Sequence, residues 1–180
     1  MMQTNLIKQS VDDWLNQVNY DFLNDGAYQP SAFALNFVNF IKLVNGSKGE
    51  SNLTPVVHLR MLDELAGKKT RLANLCSRGL GKTTLMFEYL VLYIACFGGI
   101  EGFGDITGMI YVSDSMENGV KSARKNIEFR YNDSPFLQRY IPKAHFTDSY
   151  MEFQNASGHR LGIKMFGAKT GLRGTKIFGK

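Results

Sequence analysis

Asn74-Leu75-Cys76-Ser77-Arg78-Gly79-Leu80-Gly81-Lys82-Thr83-Thr84 is the stretch on which the reading of the chain turns. A phosphate chain is held where several backbone N–H donors converge, with a helix N-terminus behind them and one cation that reaches the outer phosphates. Gly79 and Gly81 permit the tight backbone turn, and the backbone of Ser77, Arg78, Gly79, Leu80 and Gly81 forms the cradle. Lys82 neutralises the β and γ phosphates, the Thr83 hydroxyl completes the shell of Mg²⁺, and Thr84 helps to start the helix. Two positions depart from the common form of such a loop. Cys76 stands where the first glycine is usual and reads as a small packing residue. Arg78 either meets the γ phosphate and stabilises charge during transfer or is a solvated surface residue.

Such a loop needs a strand before it and a helix after it. Arg71-Leu72-Ala73-Asn74-Leu75 is apolar enough for a short buried strand, and residues 85–97 are apolar apart from Glu88, which predicts a buried helix ended by Gly98-Gly99. Met109-Ile110-Tyr111-Val112 predicts a second strand. Residues 117–131 predict a helix with Val120, Ala123, Ile127 and Tyr131 inward. Strand, helix, strand, helix in this order implies a parallel sheet with helices packed on it. After Ser134-Pro135, Met151 and Phe153 alternate with polar residues, Asn155-Ala156-Ser157-Gly158 supplies a turn, and Leu161, Ile163 and Met165 alternate again, the pattern of a hairpin.

Upstream, Val11, Trp14, Leu15, Val18 and Phe22 lie at helical spacing after Ser10. Phe33, Phe37, Phe40, Ile41 and Val44 do so after Pro30 and before Asn45-Gly46. Residues 45–52 are a polar linker, which divides the chain into an N-terminal helical segment, 1–50, and a nucleotide-binding core, 51–180. Thr54-Pro55 opens a short helix over 56–66, ended by Gly67-Lys68-Lys69.

Composition fits this picture. With 44% hydrophobic and 21% charged residues the chain has the make-up of a folded globular protein. The net charge is +5, and the basic residues gather in 164–180, where there is no acid; that run is either a phosphate-contacting surface or a solvated face. Cys76 and Cys96 have no metal-site or disulfide-framework spacing, which suits a reducing cytosol. The N-terminus lacks the pattern of a secretory signal, and the apolar stretch 85–97 is shorter than the ~20 residues of a membrane span, so a cytoplasmic protein without a membrane partner is expected.

The loop string Asn74 to Thr84 resembles the deviant Walker A loop of large terminase subunits, the ATPases that package viral DNA into procapsids. Pro55-Val56-Val57-His58-Leu59-Arg60-Met61-Leu62 is similar to the adenine-side segment of that family, with His58 where a glutamine is usual. Ile110-Tyr111-Val112-Ser113 resembles its second core strand, and Gly171-Leu172-Arg173-Gly174 the Arg-Gly stretch ahead of its Walker B strand. The likeness covers residues 53–180. It implies a P-loop NTPase core of α/β class, a parallel sheet flanked by helices, left incomplete because the chain stops before the Walker B strand. It also implies ATP and Mg²⁺ as cofactors, with Arg78 and Lys82 catalytic and His58 on the nucleotide. Double-stranded DNA bound through its phosphates, a homo-oligomeric ring, a portal and a small terminase subunit are the implied partners, in the host cytoplasm of a bacteriophage infection.

Alternatives share the loop. A helicase or clamp-loader type ATPase carries an adjacent acidic pair on a later strand, and a regulatory or assembly module binds nucleotide without turnover. A small-molecule kinase fits least, since no lid or acceptor-site signature is visible. Asp114, at the end of Met109-Ile110-Tyr111-Val112-Ser113, is a second candidate for holding Mg²⁺, although no second acid follows it. Asp133, Asp148 and Glu152 read as surface or turn carboxylates. For want of an acidic pair, the polypeptide ending at Lys180 is expected to hydrolyse ATP very slowly.

Overall fold

A computed structural model describes residues 27–46, 54–67, 71–100, 102–169 and 175–179. The chain divides into two compact units, Met1–Pro30 and Ser31–Lys180. The second holds all the elements described below. The helix expected within 10–24, the stretch 171–174 and Lys180 lie outside the described residues.

Helix α1, Ala32–Asn45, begins at Ser31, whose hydroxyl accepts the Ala34 N–H at 3.1 Å. Helix α2, Val56–Ala66, follows Pro55 and ends at Gly67. The Ser31 N–H donates to Asp63 at 3.1 Å, tying the start of α1 to α2. Helix α3 is helical from Lys82, passes through a π-helical turn, Thr84–Tyr89, and continues as the α-helical Leu90–Phe97. Its end is set by Gly98, left-handed at φ 85°, whose N–H returns to the Ile94 carbonyl at 2.7 Å.

The aromatic stripe of α1 is core. Tyr93 of α3 lies among Phe33, Phe37 and Phe40, stacked on Phe37 at 5.0 Å between ring centroids and edge-on to the other two at 5.8 and 5.3 Å. The linker at 45–52 therefore does not separate α1 from the core. Sequence periodicity identifies the helix but says nothing of which surface it covers.

Strands β1, Gly99–Ile100, and β2, Gly104–Asp105, form a small hairpin. The main sheet has four strands in the order β3-β6-β5-β4: β3 Gly108–Ser113, β4 Lys143–Phe146, β5 Tyr150–Gln154 and β6 Arg160–Gly167. Between β3 and β4 run α4, a π-helical turn Met116–Val120 leading into the α-helical Lys121–Asp133, and α5, Pro135–Tyr140. Only β3 and β6 pair parallel, Gly108 opposite Gly162 through Ser113 opposite Gly167; β6, β5 and β4 are antiparallel. The sheet is mixed, not parallel as strand–helix alternation implied, because the β5–β6 hairpin places β6 beside β3 after a long crossover. Met151, Phe153, Leu161, Ile163 and Met165 point to one face and are buried with Val120, Ala123 and Ile127 of α4.

The expected strand over 71–75 is a correction. Residues 71–77 have no regular structure, and Leu75 is 78% exposed. An apolar sequence permits a strand but cannot make one without a ladder partner, and among the described residues β3 stands at the edge of its sheet with no strand beside it on that side.

Candidate functional site

The loop between residue 76 and α3 has the backbone that its glycines foretell. Gly79 and Gly81 are left-handed at φ 87° and 64°, conformations that strain any residue bearing a Cβ. The Leu85 N–H returns to the Gly81 carbonyl at 2.9 Å, so helical bonding starts at Gly81. The N–H groups of Lys82, Thr83 and Thr84 are then those that a helix leaves without an internal acceptor, at the end where its dipole favours anions. Ser77, Arg78, Gly79, Gly81 and Thr83 are exposed, while Leu80, Lys82 and Thr84 are half-buried. Thr84 lies inside the helix, two residues past its first turn's start at Lys82.

Lys82 folds back over the loop. Its Nζ donates to the Cys76 carbonyl at 2.6 Å and to the Ser77 carbonyl at 3.2 Å, so the ammonium is held against the start of the loop. His58, from the first turn of α2, reaches the same loop: its Nε2 is 2.6 Å from the Leu80 carbonyl oxygen. Arg78 extends into solvent. The structure thus brings His58 to Leu80 and Gly81, and Lys82 to Cys76 and Ser77.

Behind the loop, α3 is fixed by contacts that composition alone does not reveal. Phe87 stacks on Tyr111 of β3 at 3.8 Å with 17° between the rings. Glu88 is buried and accepts hydrogen bonds from Asn126 Nδ2 at 2.9 Å and Arg130 Nε at 3.2 Å, both on α4. Arg130 also donates to the Tyr89 hydroxyl at 2.7 Å, which in turn donates to Asn45 of α1 at 2.8 Å. The signal in the sequence was Glu88 itself: a lone carboxylate in an apolar run requires partners when buried. Further along α3, burial pushes the Cys96 thiol up to about 12.

Asp114 closes β3, and one carboxylate oxygen accepts the Ser115 N–H at 2.7 Å and the Ser113 hydroxyl at 3.1 Å. These bonds shape the turn into α4, whose first residues are capped by Ser115 through the Asn118 N–H at 3.2 Å. Among the described residues no three His, Cys, Asp or Glu side chains gather as a metal-ion cluster. Of the basic residues near the C-terminus, Lys164 is half-buried on β6, Lys169 and Lys176 are exposed, and Arg173 and Lys180 lie outside the described residues. No described helix is long and apolar enough to cross a membrane. No protein-family model matches the chain, and neither a curated protein nor a solved structure does.

Proposed function

We propose that the chain binds Mg²⁺-ATP through residues 76–84 and is the nucleotide-binding part of a DNA-translocating ATPase of the large terminase kind. The observation that carries this reading is the pairing of two left-handed glycines with the Lys82 ammonium held against the start of the loop. A backbone in this conformation offers converging N–H donors, and the helix behind it adds a favourable dipole.

The residues fit the group. Lys82 and the loop amides would hold the β and γ phosphates, the exposed Thr83 hydroxyl would take part in holding Mg²⁺, and Arg78 has the freedom to approach a γ phosphate. The metal supplies charge neutralisation of the phosphates when bound. Lys82 supplies a fixed positive charge next to them, and the loop amides orient the chain and exclude water from one side. Double-stranded DNA enters the reading through the exposed Lys169 and Lys176 and through the family likeness, as do the ring, the portal and the small subunit. Binding through phosphates weakens steeply with salt and reads no bases.

The test is calorimetry of Mg²⁺-ATP binding at fixed salt with wild type and Lys82→Ala. Loss of a charge-assisted contact of ~1.5–3 kcal/mol corresponds to an affinity about 10- to 100-fold lower. An unchanged Kd sinks the loop assignment. A second reading, nucleotide binding without turnover, is favoured by Asp114, whose oxygen is engaged in its own turn. Steady-state phosphate release separates the two: turnover abolished by Asp114→Asn makes that residue the metal-holding carboxylate, whereas absence of turnover favours the binding module.

A further inference from the structure

We infer that His58 is a positioning residue for the phosphate loop, acting through the Leu80 carbonyl. The inference rests on the phosphate-loop reading above and goes beyond it in assigning a side chain outside the loop the task of setting the loop's amides.

A carbonyl oxygen only accepts, so the 2.6 Å contact puts the proton on Nε2 of His58. The Leu80 carbonyl belongs to the peptide that also carries the Gly81 N–H. In a trans peptide the two point in opposite directions, and the chain has no cis bond. Anchoring the carbonyl on α2 therefore turns the Gly81 N–H away from α2. That peptide is the one most in need of an anchor. Its N–H side is Gly81, at φ 64°, and a glycine populates either sign of φ readily, so the Leu80–Gly81 plane turns over more easily there than before a residue with a Cβ.

The ring does a second thing. A Cβ placed on Gly81 would lie 3.7 Å from His58 Cε1 and 3.8 Å from Nε2, ordinary contact distance. His58 thus backs the glycine as well as holding the carbonyl beside it. Its own position is fixed early in α2, where its N–H returns to the Pro55 carbonyl at 2.9 Å. With Nε2 committed to Leu80, the neutral ring keeps only the Nδ1 acceptor for any other contact.

The experiment compares two ligands by calorimetry with Mg²⁺ at fixed salt: ATP, and tripolyphosphate, which has no base. His58→Leu keeps bulk against Gly81 and removes the donor. It is expected to weaken both ligands by the same factor, about tenfold for a lost hydrogen bond of ordinary strength. His58→Gln, which restores an N–H donor, is expected to recover most of that loss for both. A His58→Leu protein that loses ATP affinity but keeps tripolyphosphate affinity overturns the inference in favour of a base contact, and unchanged affinity for both overturns it outright. Wild type that binds neither ligand brings down the loop reading and this inference with it. Should His58→Leu fail to fold, His58→Asn, too short to reach Leu80, makes the same comparison.

Discussion

The Arg130 guanidinium and the Glu88 carboxylate form an ion pair at 3.2 Å between α4 and α3, with the Glu88 side chain only 4% exposed. Glu88 lies six positions after Lys82 on the helix that begins at the glycine loop, so this pair ties that helix to its neighbour. Arg130→Ala leaves a buried carboxylate with Asn126 alone and is expected to destabilise the fold by about 3 kcal/mol. Glu88→Gln, which keeps a bond to Asn126, is expected to cost less. Urea unfolding of the two single variants and the double variant measures the coupling, and purely additive losses would mean that the pair contributes nothing of its own.

Gly119, in the first turn of α4, lies close against the end of β3. A Cβ there would lie 1.9 Å from Ser113 Oγ and 2.7 Å from Asp114 Oδ1. Gly119→Ala must push the first turn of α4 off the end of β3, with an expected loss of about 1–3 kcal/mol. A wild-type unfolding midpoint for this variant would show that the turn is not packed there.

Of the two cysteines, Cys96 is buried and its thiol is raised to about 12 by loss of solvation, while Cys76 is half-buried in the loop. A thiol reagent at pH 8 should label Cys76 alone in the native protein and both in urea, and saturating Mg²⁺-ATP should slow the labelling of Cys76. The same burial has a pH consequence. The unfolded thiol ionises near 9.0 and the folded one near 12, so the unfolded state loses its proton first. Stability is then full below pH 9 and falls as pH rises towards 12. Cys96→Ser should flatten that part of the stability profile, and a profile unchanged in shape would refute the assignment.

Arg78 is exposed beside Gly79 and makes no described hydrogen bond that would hold it to the loop. If it meets charge that develops on the transferred phosphate, Arg78→Ala lowers turnover on the order of a hundredfold or more in a form of the protein that hydrolyses ATP, and weakens ATP binding far less. Equal losses in turnover and affinity would assign it to ground-state binding.

Much of the fold was legible in local signals. Pro30, Asn45-Gly46 and the aromatic spacing give α1; Pro55 and Gly67 bracket α2; Val120, Ala123 and Ile127 mark the buried face of α4; and the alternation around Asn155-Ala156-Ser157-Gly158 gives the β5–β6 hairpin. What failed was non-local. Residues 71–75 carry a strand's composition without a described ladder partner, and the parallel sheet was inferred from element order, which does not reveal that β6 arrives through a hairpin. Helix α5 was missed although Ser134-Pro135 is a strong start signal, because its six residues are too few for periodicity to register. At the site, the glycines and lysine declared themselves by spacing. The partners of Glu88 lie 38 and 42 residues away in sequence and the acceptor of His58 lies 22 away, so these could not.

The π-helical turn Thr84–Tyr89 sits directly between the loop and the core. A turn closed five residues back holds one residue more than an α-turn; Phe87, Glu88 and Tyr89 within it are buried, as are Leu90, Val91 and Leu92 in the α-helical part that follows. In terms of descent, this segment behaves as a one-residue insertion absorbed without a loop. A related chain whose helix is regular throughout would place the aromatic that stacks on β3 one position nearer the lysine, and aligning the two without a gap between Lys82 and Leu90 would miss that equivalence by one residue.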